Sequence, residues 1–342
     1  MQASRRKKGR FPGKNRSTAE FCKRHMGFRS PVIRSTLAKA NGKRDWRIYA
    51  DFAQSLIRTA RRPCADDMFQ VEPDNTVYAL DSTTVDLCLS VFPWAHFRRT
   101  KAAVKMHTLL DLRGNIPTFI DISAGKLHDV NVLDRLLPEA GAFYIMDRAY
   151  LDFERLHHIH LHGGYFVLRA KRNTQLRRLY SRPADRDAGV VCDQVARPAG
   201  KRSSIEYPDR LRRIRYHDRD RGKTFVFLTN NFVLPPLTIA ELYRARWQVE
   251  LFFRWIKQHL RIKSFLGTSA NAVKTQIWIA ITVYVLVAII RKRLNCERSL
   301  YTILQILDVT LFEKIELNQL LNEPQCRFQP DAPSNQLNLF DF

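Results

Sequence analysis

Cysteine pairs, long apolar runs and negative charge are all scarce in this chain. Its six cysteines, at positions 22, 64, 88, 192, 296 and 326, form no C-x-x-C pair, which argues against a zinc knuckle and against a disulfide framework. A reducing cytoplasm is the compartment this usage fits. The basic N-terminus has no apolar stretch behind it and so does not read as a secretory signal. The longest apolar run, IWIAITVYVLVAII at 277–290, has 14 residues, short of the roughly 20 that cross a bilayer. It is expected to form a buried core helix, with no membrane partner. No internal repeat is found. Only 33 Asp and Glu stand against 57 Lys and Arg, a formal net charge of +24. That excess goes beyond what solubility needs and points to a polyanionic partner, of which nucleic acid is the commonest.

What is present is apolar material for a sizeable core, 45% of the 342 residues. Residues 1–30 hold ten Lys or Arg and one Glu, and read as a basic, disordered arm able to touch phosphate. A helical segment is expected over 31–75, with Ser35 as N-cap, helical spacing through Trp46, Tyr49, Phe52 and Leu56, and a break near Asn41-Gly42. From residue 76 the period becomes that of strands. TVYALDSTTVDL is one strand, and KAAVKMHTLLDL with IPTFIDISA forms a hairpin around Arg113-Gly114-Asn115. A short helix over 129–137 should turn Leu133, Leu136 and Leu137 inward. AFYIMDRAY reads as a buried strand stopping at Asp147, 152–162 as a helix, and YFVLRAK as a further strand. This order is that of an α/β fold, a ribonuclease-H-like mixed sheet built from 76–172 and 237–295. Residues 173–236 interrupt it as a β insertion with strand-like pieces RLRRIRYHD and KTFVFLTNNF, and a helical C-terminal region over 296–323 precedes a flexible tail, 324–342.

The stretch 238–263, TIAELYRARWQVELFFRWIKQHLRIK, reads as one long helix of unusual pattern. At about 100° per residue Tyr243, Arg246, Glu250, Arg254 and Lys257 share a narrow sector, while Trp247, Val249, Leu251, Phe252, Phe253, Trp255 and Ile256 cover most of the rest. Charge confined to a seam on an otherwise apolar rod marks a place for chemistry. Asp81 and Asp147 sit at the polar ends of strands that are neighbours in the expected fold. With Glu250 they offer three hard oxygen ligands, suited to Mg²⁺ rather than zinc, and two such ions about 4 Å apart can activate an attacking oxygen and stabilise a leaving one. Arg246 can grip a phosphate bidentately, Lys257 adds a point charge, and Tyr243 adds a hydroxyl and a ring. The competing readings are a solvated turn or cap for each aspartate, and intrahelical pairing of Glu250 with Arg246 and Arg254. His157, His158, His160 and His162 lack a nearby acidic or cysteine partner in the sequence and read as structural or surface residues.

The spacing Tyr243-x2-Arg246-x3-Glu250-x6-Lys257 resembles the Y-R-E-K signature of the DDE transposases of bacterial insertion sequences, in the fourth insertion-sequence family. LDST around Asp81, MDRAY around Asp147 and LTNN ahead of the helix are similar to that family's other motifs, and the resemblance covers about residues 31–325. It implies Mg²⁺-dependent cleavage at transposon ends, a DNA hairpin intermediate and strand transfer into target DNA by a dimer. Mn²⁺ is a substitute metal, and the location is the bacterial cytoplasm at the nucleoid. Asp81, Asp147 and Glu250 would be the metal ligands, with Tyr243, Arg246 and Lys257 on phosphates. Ala149 departs from the family's glycine and should tighten the turn after Asp147. The family also has a helical DNA-binding domain ahead of the stretch resembling SPVIRSTLAKAN, where about 29 unlike residues stand here. A truncated or rearranged copy is the expectation, its basic arm binding DNA without sequence preference. A catalytically silent DNA-binding copy and a nuclease that nicks without joining are the rival functions. In the tail, Gln336, Leu337, Leu339 and Phe340 resemble the Q-L-x-L-F peptide that docks on the bacterial sliding clamp.

Overall fold

The computed structural model describes residues 33–64, 75–260, 262, 264–310 and 315–322. The chain divides into two compact units, one of Ser30–Ile289 and the other of Met1–Arg29 with Ile290–Phe342. The expected basic arm and the tail carrying Gln336, Leu337, Leu339 and Phe340 lie outside the described residues.

The larger unit begins with two helices, α1 (Arg34–Lys43) and α2 (Arg47–Arg61). The break falls at Arg44–Trp46 rather than at Asn41-Gly42, and α1 starts without a side-chain cap, so Ser35 is not its N-cap. A tertiary contact sets this turn. The Asn271 side-chain amide donates to the carbonyls of Asn41 (2.8 Å) and Arg44 (2.6 Å), and its oxygen accepts from the Trp46 N–H. Gly42 therefore stays helical despite its propensity.

Strand β1 (Val77–Leu87) buries Val77 to Leu80 and turns polar from Asp81, where the residues become half-buried. A strand covered on both faces reads as a continuous apolar run, and its polar residues begin where cover stops. The short β2 (His96–Arg98) pairs with the start of β3 (Lys101–Asp111), which forms a hairpin with β4 (Ile116–Ala124). Gly114 (φ 74°) and Asn115 (φ 56°) both take the left-handed region in its turn, and a Cβ on Gly114 would lie 2.5 Å from the Cys64 sulfur. β1 runs antiparallel to β3 and parallel to β5 (Phe143–Met146), which is parallel in turn to β6 (Tyr165–Arg169). The order β4-β3-β1-β5-β6 is that of a ribonuclease-H-like mixed sheet, as the element order implied. Helix α3 (Phe153–Leu161) makes the β5–β6 crossover, its first turn capped by Asp152 accepting from the Arg155 N–H.

On one face of the sheet Tyr78, Leu80, Met146, Phe166 and Leu168 pack against Val132, Leu133, Leu156 and Ile159. Each such side chain, fully buried, contributes about 1.5–3 kcal/mol of transfer free energy. The expected helix at 129–137 is a 3-10 helix, Asp129–Arg135, and Leu137 faces solvent rather than the core. Pro138 disfavours the helical region for the residue before it, so the chain extends and turns Leu137 outward.

The insertion does not stand apart from the sheet. Four antiparallel strands, β7 (Leu176–Arg182), β8 (Val190–Pro198), β9 (Leu211–Asp218) and β10 (Lys223–Thr229), extend it, with the short α4 (Lys201–Glu206) between β8 and β9. β10 pairs with β6 and the order runs on as β10-β9-β8-β7, giving ten strands. Arg212, buried in β9, bonds Asp193 through two nitrogens (2.9 and 2.7 Å) and donates to the carbonyls of Asn231 (3.3 Å) and Leu234 (2.6 Å). This strut fixes the loop that enters the next helix.

That helix is two: α5 (Pro236–Ala245) and α6 (Trp247–His259) meet at Arg246, instead of one rod over 238–263. Backbone bonds from the Arg246 N–H to the Tyr243 carbonyl and from Val249 to Arg246 close three-residue rather than four-residue turns there. Val249, Phe252, Phe253 and Ile256 are buried, but Trp247 is 49% exposed, so the apolar surface is less complete than its pattern implies. The 14-residue apolar run lies inside a 24-residue helix, α7 (Ala270–Arg293). By length and composition α7 could cross a bilayer, and 61% of its most apolar window is buried inside the protein, as in a core helix. In the second unit α8 (Leu300–Thr310) and α9 (Leu317–Asn322) follow, and Cys296 and Arg298 both donate to the Leu321 carbonyl.

Candidate active site

Parallel pairing of β1 with β5 sets the first two acids. Leu80 pairs with Met146, so Asp81 and Asp147 each lie one residue beyond the last paired position of neighbouring strands. The stop in apolar sequence is also the stop in the ladder. After Asp147 the chain makes a 3-10 turn, Arg148–Tyr150, which Ala149 enters without a left-handed backbone. Glu250 comes from the first turn of α6. Burial pushes the Asp81 carboxyl up to about 6, with the negative charges of Glu250 and Asp147 adding to the rise and Arg246 and the Ser82 N–H opposing it. The mutual repulsion marks the three carboxylates as one electrostatic cluster.

The seam residues bind these acids directly. Arg246 donates to Asp81 Oδ2 (2.5 Å) and Glu250 Oε1 (2.8 Å), and the Tyr243 hydroxyl donates to Asp147 Oδ1 (3.2 Å). Lys257 Nζ donates to the Thr84 carbonyl (2.8 Å), and Arg254 lies over the Trp247 ring (5.8 Å). The intrahelical pairing weighed from the sequence is thus present for Arg246, not for Arg254, and extends to a second acid. Burial opposes the Arg246 charge, yet Asp81, Tyr243 and Glu250 outweigh it and raise its pKa; burial pushes the Tyr243 phenol up to about 12.

Two openings meet at this cluster. A groove of about 960 Å³ includes Asp147, Tyr243 and Arg246 with Arg148, Arg169 and Arg244. A smaller one, about 480 Å³, is lined by Asp81, Glu250, Arg254 and Lys257. Along the larger groove Phe225 stacks on Phe227 (6.0 Å between centroids), Phe227 meets Tyr243 (4.9 Å), and Arg169 lies 5.1 Å over Phe225. Cations interleaved with aromatic faces suit a nucleic-acid strand.

Sequence reasoning missed a support behind Asp81. Ser82 gives its N–H to Asp81 Oδ1 (2.8 Å) and, on the opposite face of the sheet, its hydroxyl to Asp129 Oδ1 (2.7 Å), which also takes Lys105 Nζ (3.1 Å). His107, wholly buried, bonds Ser123 (2.9 Å), and burial lowers its pKa. These partners are 24 and 47 residues from Asp129, too far for any local pattern. The histidines needed correction as well. His157 Nε2 lies 3.0 Å and His160 Nε2 3.7 Å from Asp209, an acidic partner the sequence did not bring near. They remain structural. The Asn230 oxygen accepts from the Phe166 N–H and its nitrogen donates to the Gly164 carbonyl, which leaves His160 Nδ1 to accept from that nitrogen at 2.9 Å. The His160 proton then sits on Nε2, which is no metal ligand.

Among the described residues, no three His, Cys, Asp or Glu side chains stand in an arrangement that holds an ion directly. Arg246 bridges two of the three carboxylates and Tyr243 engages the third. The donor set still fits a hard divalent cation, because it is all carboxylate oxygen and because burial, with a smaller share from the Glu250 and Asp147 charges, disfavours a bare negative charge at Asp81 that such a cation would offset.

A ribonuclease-H-like sheet with an Asp-Asp-Glu cluster beside a cationic, aromatic groove defines the class: an enzyme of DNA cleavage and strand transfer. Residues 72–286 match the family of the transposase DDE domain. A putative transposase, y4zB of Sinorhizobium fredii, is 33% identical over 298 residues, spanning 84% of this chain and 80% of that one. The probable transposase for insertion sequence element IS5377 of Geobacillus stearothermophilus is 32% identical over 209 residues, 60% and 54% of the two chains. The putative transposase for insertion sequence element IS4SA of Synechocystis is 26% identical over 304 residues, 86% and 82%. The chain belongs to the DDE transposases of insertion sequences, enzymes that bind DNA and use divalent metal. Among solved structures, the piggyBac transposase synaptic complex with hairpin DNA superposes with a TM-score of 0.40 and 9% identity, over 66% of this chain and 50% of that one. Strand order, not this superposition, establishes the fold.

Proposed function

We propose that this chain cuts DNA at the ends of its insertion sequence and joins the freed 3′-hydroxyls to target DNA, using Asp81, Asp147 and Glu250 as metal ligands. The observation that carries this reading is the convergence of the three carboxylates, one from β1, one just past the end of β5 and one from α6, with the Asp81 carboxyl raised to about 6 by burial and by the other two. Two Mg²⁺ ions, or Mn²⁺ in their place, would supply Lewis acidity that activates the attacking oxygen and stabilises the leaving one. Arg246 and Tyr243, at the head of the larger groove, would orient the scissile phosphate, and Lys257 would hold the backbone on the side of the smaller one. The Phe225–Phe227–Tyr243 row supplies ring faces along which a strand can lie.

Labelled duplex carrying the element's terminal repeat, incubated with the protein and Mg²⁺, tests the reading. Joined products support it; nicks alone favour a nuclease, and uncut DNA a binding protein. Glu250→Gln should abolish cleavage while DNA affinity persists, because a ligand is lost and the phosphate contacts remain. Retained cleavage in that variant would remove the metal assignment. A homodimer on paired DNA ends, and docking of Gln336, Leu337, Leu339 and Phe340 on the sliding clamp, belong to the same proposal. A Leu339→Ala/Phe340→Ala tail that still pulls down the clamp at wild-type level refutes the docking.

A further inference from the structure

Every side chain assigned above to DNA phosphate is already engaged within the protein. Tyr243 holds Asp147, Arg246 holds Asp81 and Glu250, and Lys257 holds the Thr84 carbonyl. For Tyr243 and Arg246, the partners are the proposed metal ligands themselves. A divalent cation and the Arg246 guanidinium therefore compete for the same oxygens of Asp81 and Glu250.

Resting on the proposed metal role of these acids, we infer that Arg246 is the resident counter-cation of the DNA-free site, and that a DNA phosphate releases it and so opens the site to metal. Three features support the exchange. The guanidinium is only partly satisfied where it sits: its Nε is buried and meets no acceptor, although both terminal nitrogens are bonded. A phosphate oxygen would supply the missing acceptor, and Arg presents its donors in a fork that fits phosphate. Arg246 also lines the larger groove beside Arg148 and Arg244, so a strand held there lies within its reach. Finally, it stands at the junction of α5 and α6, where the helical bonding is irregular. The side chain that has to move thus springs from the point where the helical ladder is interrupted.

Charge arithmetic favours a coupled rather than a sequential event. Arg246 bonded to Asp81 and Glu250 already offsets part of their repulsion, so a metal arriving alone displaces a favourable pair and leaves a half-buried guanidinium without a counter-charge. With DNA present, the phosphate takes the guanidinium and the metal takes the carboxylates. Metal and DNA then bind cooperatively, and by linkage each tightens the other by the same factor. The free protein stays poorly loaded, which restrains cleavage chemistry until a strand is in the groove.

Mn²⁺ binding by the full chain, measured by electron paramagnetic resonance with the DNA-bound fraction subtracted, tests this without reference to activity. Wild type should bind Mn²⁺ at least about tenfold more tightly when a duplex bearing the terminal repeat is present. Arg246→Gln should bind Mn²⁺ more tightly than wild type in the absence of DNA, and DNA should no longer change its affinity. Arg246→Lys keeps the charge but lacks the fork that offers a separate nitrogen to each carboxylate, so its free-state affinity should fall between the two; it also serves if the glutamine variant folds poorly. Asp81→Asn separates the two levels of the argument. If Asp81→Asn leaves Mn²⁺ binding unchanged, the metal reading itself fails. If Asp81→Asn loses Mn²⁺ while the Arg246 variants match wild type with and without DNA, the metal reading stands and the exchange is overturned.

Discussion

Arg212 offers a sharp test of how the insertion supports the site. Its guanidinium is 1% exposed and its partner Asp193 2%, and it bonds Asp193 twice and two backbone carbonyls besides. Arg212→Ala would leave the Asp193 charge in the interior, with Arg182 Nε 3.8 Å away as its nearest remaining cation, and would leave the carbonyls of Asn231 and Leu234 without that donor. Removing one member of a buried, hydrogen-bonded pair costs about 3–5 kcal/mol. For a unit of this size, where 1 kcal/mol shifts Tm by about 2–4 °C, the melting temperature should fall by roughly 6–20 °C. Arg212→Met with Asp193→Leu removes both charges and should recover about half the loss, the carbonyls still lacking their donor. Urea unfolding of the wild type, Arg212→Met, Asp193→Leu and the double variant closes the cycle. A cost below about 1 kcal/mol for Arg212→Ala, or a coupling near zero, would refute the strut.

Two further outcomes follow from the cluster. Because burial raises the Asp81 carboxyl to about 6 against an ordinary value of 3.8, its ionisation disfavours the fold. The associated stability is fully present below about pH 4 and is lost as pH rises through 6, so metal-free Asp81→Asn should be more stable than wild type at pH 8 by up to roughly 3 kcal/mol. The two should converge as pH falls to 4 in denaturant titrations with chelator; a gap independent of pH would contradict the assignment. Lys257→Gln should weaken DNA binding across sequences and reduce the slope of log affinity against log salt by about one, measured by fluorescence anisotropy. An unchanged slope would mean that Lys257 makes no phosphate contact.

Much of this site could be read along the chain because its signals are local. The unbroken run of buried residues that opens β1, Val77 to Leu80, ends at Asp81, AFYIM ends at Asp147, and the Y-R-E-K spacing follows the helical period, so each acid is marked where it stands. What was hidden depends on distant partners or on exposed strands. β7 carries Arg177, Arg178 and Arg182 on the outer edge of the sheet, where no apolar alternation is needed. Asp209 reaches His157 across 52 residues, and the turn at 44–46 is held by Asn271. The break at Arg246 left no trace in the hydrophobic pattern, since its backbone angles (φ −50°, ψ −29°) are still those of a right-handed helix.

Pairing of β10 with β6 has a consequence for how such an enzyme can change. After β6 the chain crosses to the far edge of the sheet and works back strand by strand to β10, so the strand that leads into α5 is registered on the catalytic layer through β6 as well as on β9 farther out. Only the turn that joins β7 to β8, beyond Arg182 and ahead of Asp193, can gain or lose residues without shifting Glu250, because Arg182 and Asp193 both tie their strands to the loop that enters α5. Shape at the rim and chemistry at the centre are free to evolve on separate schedules.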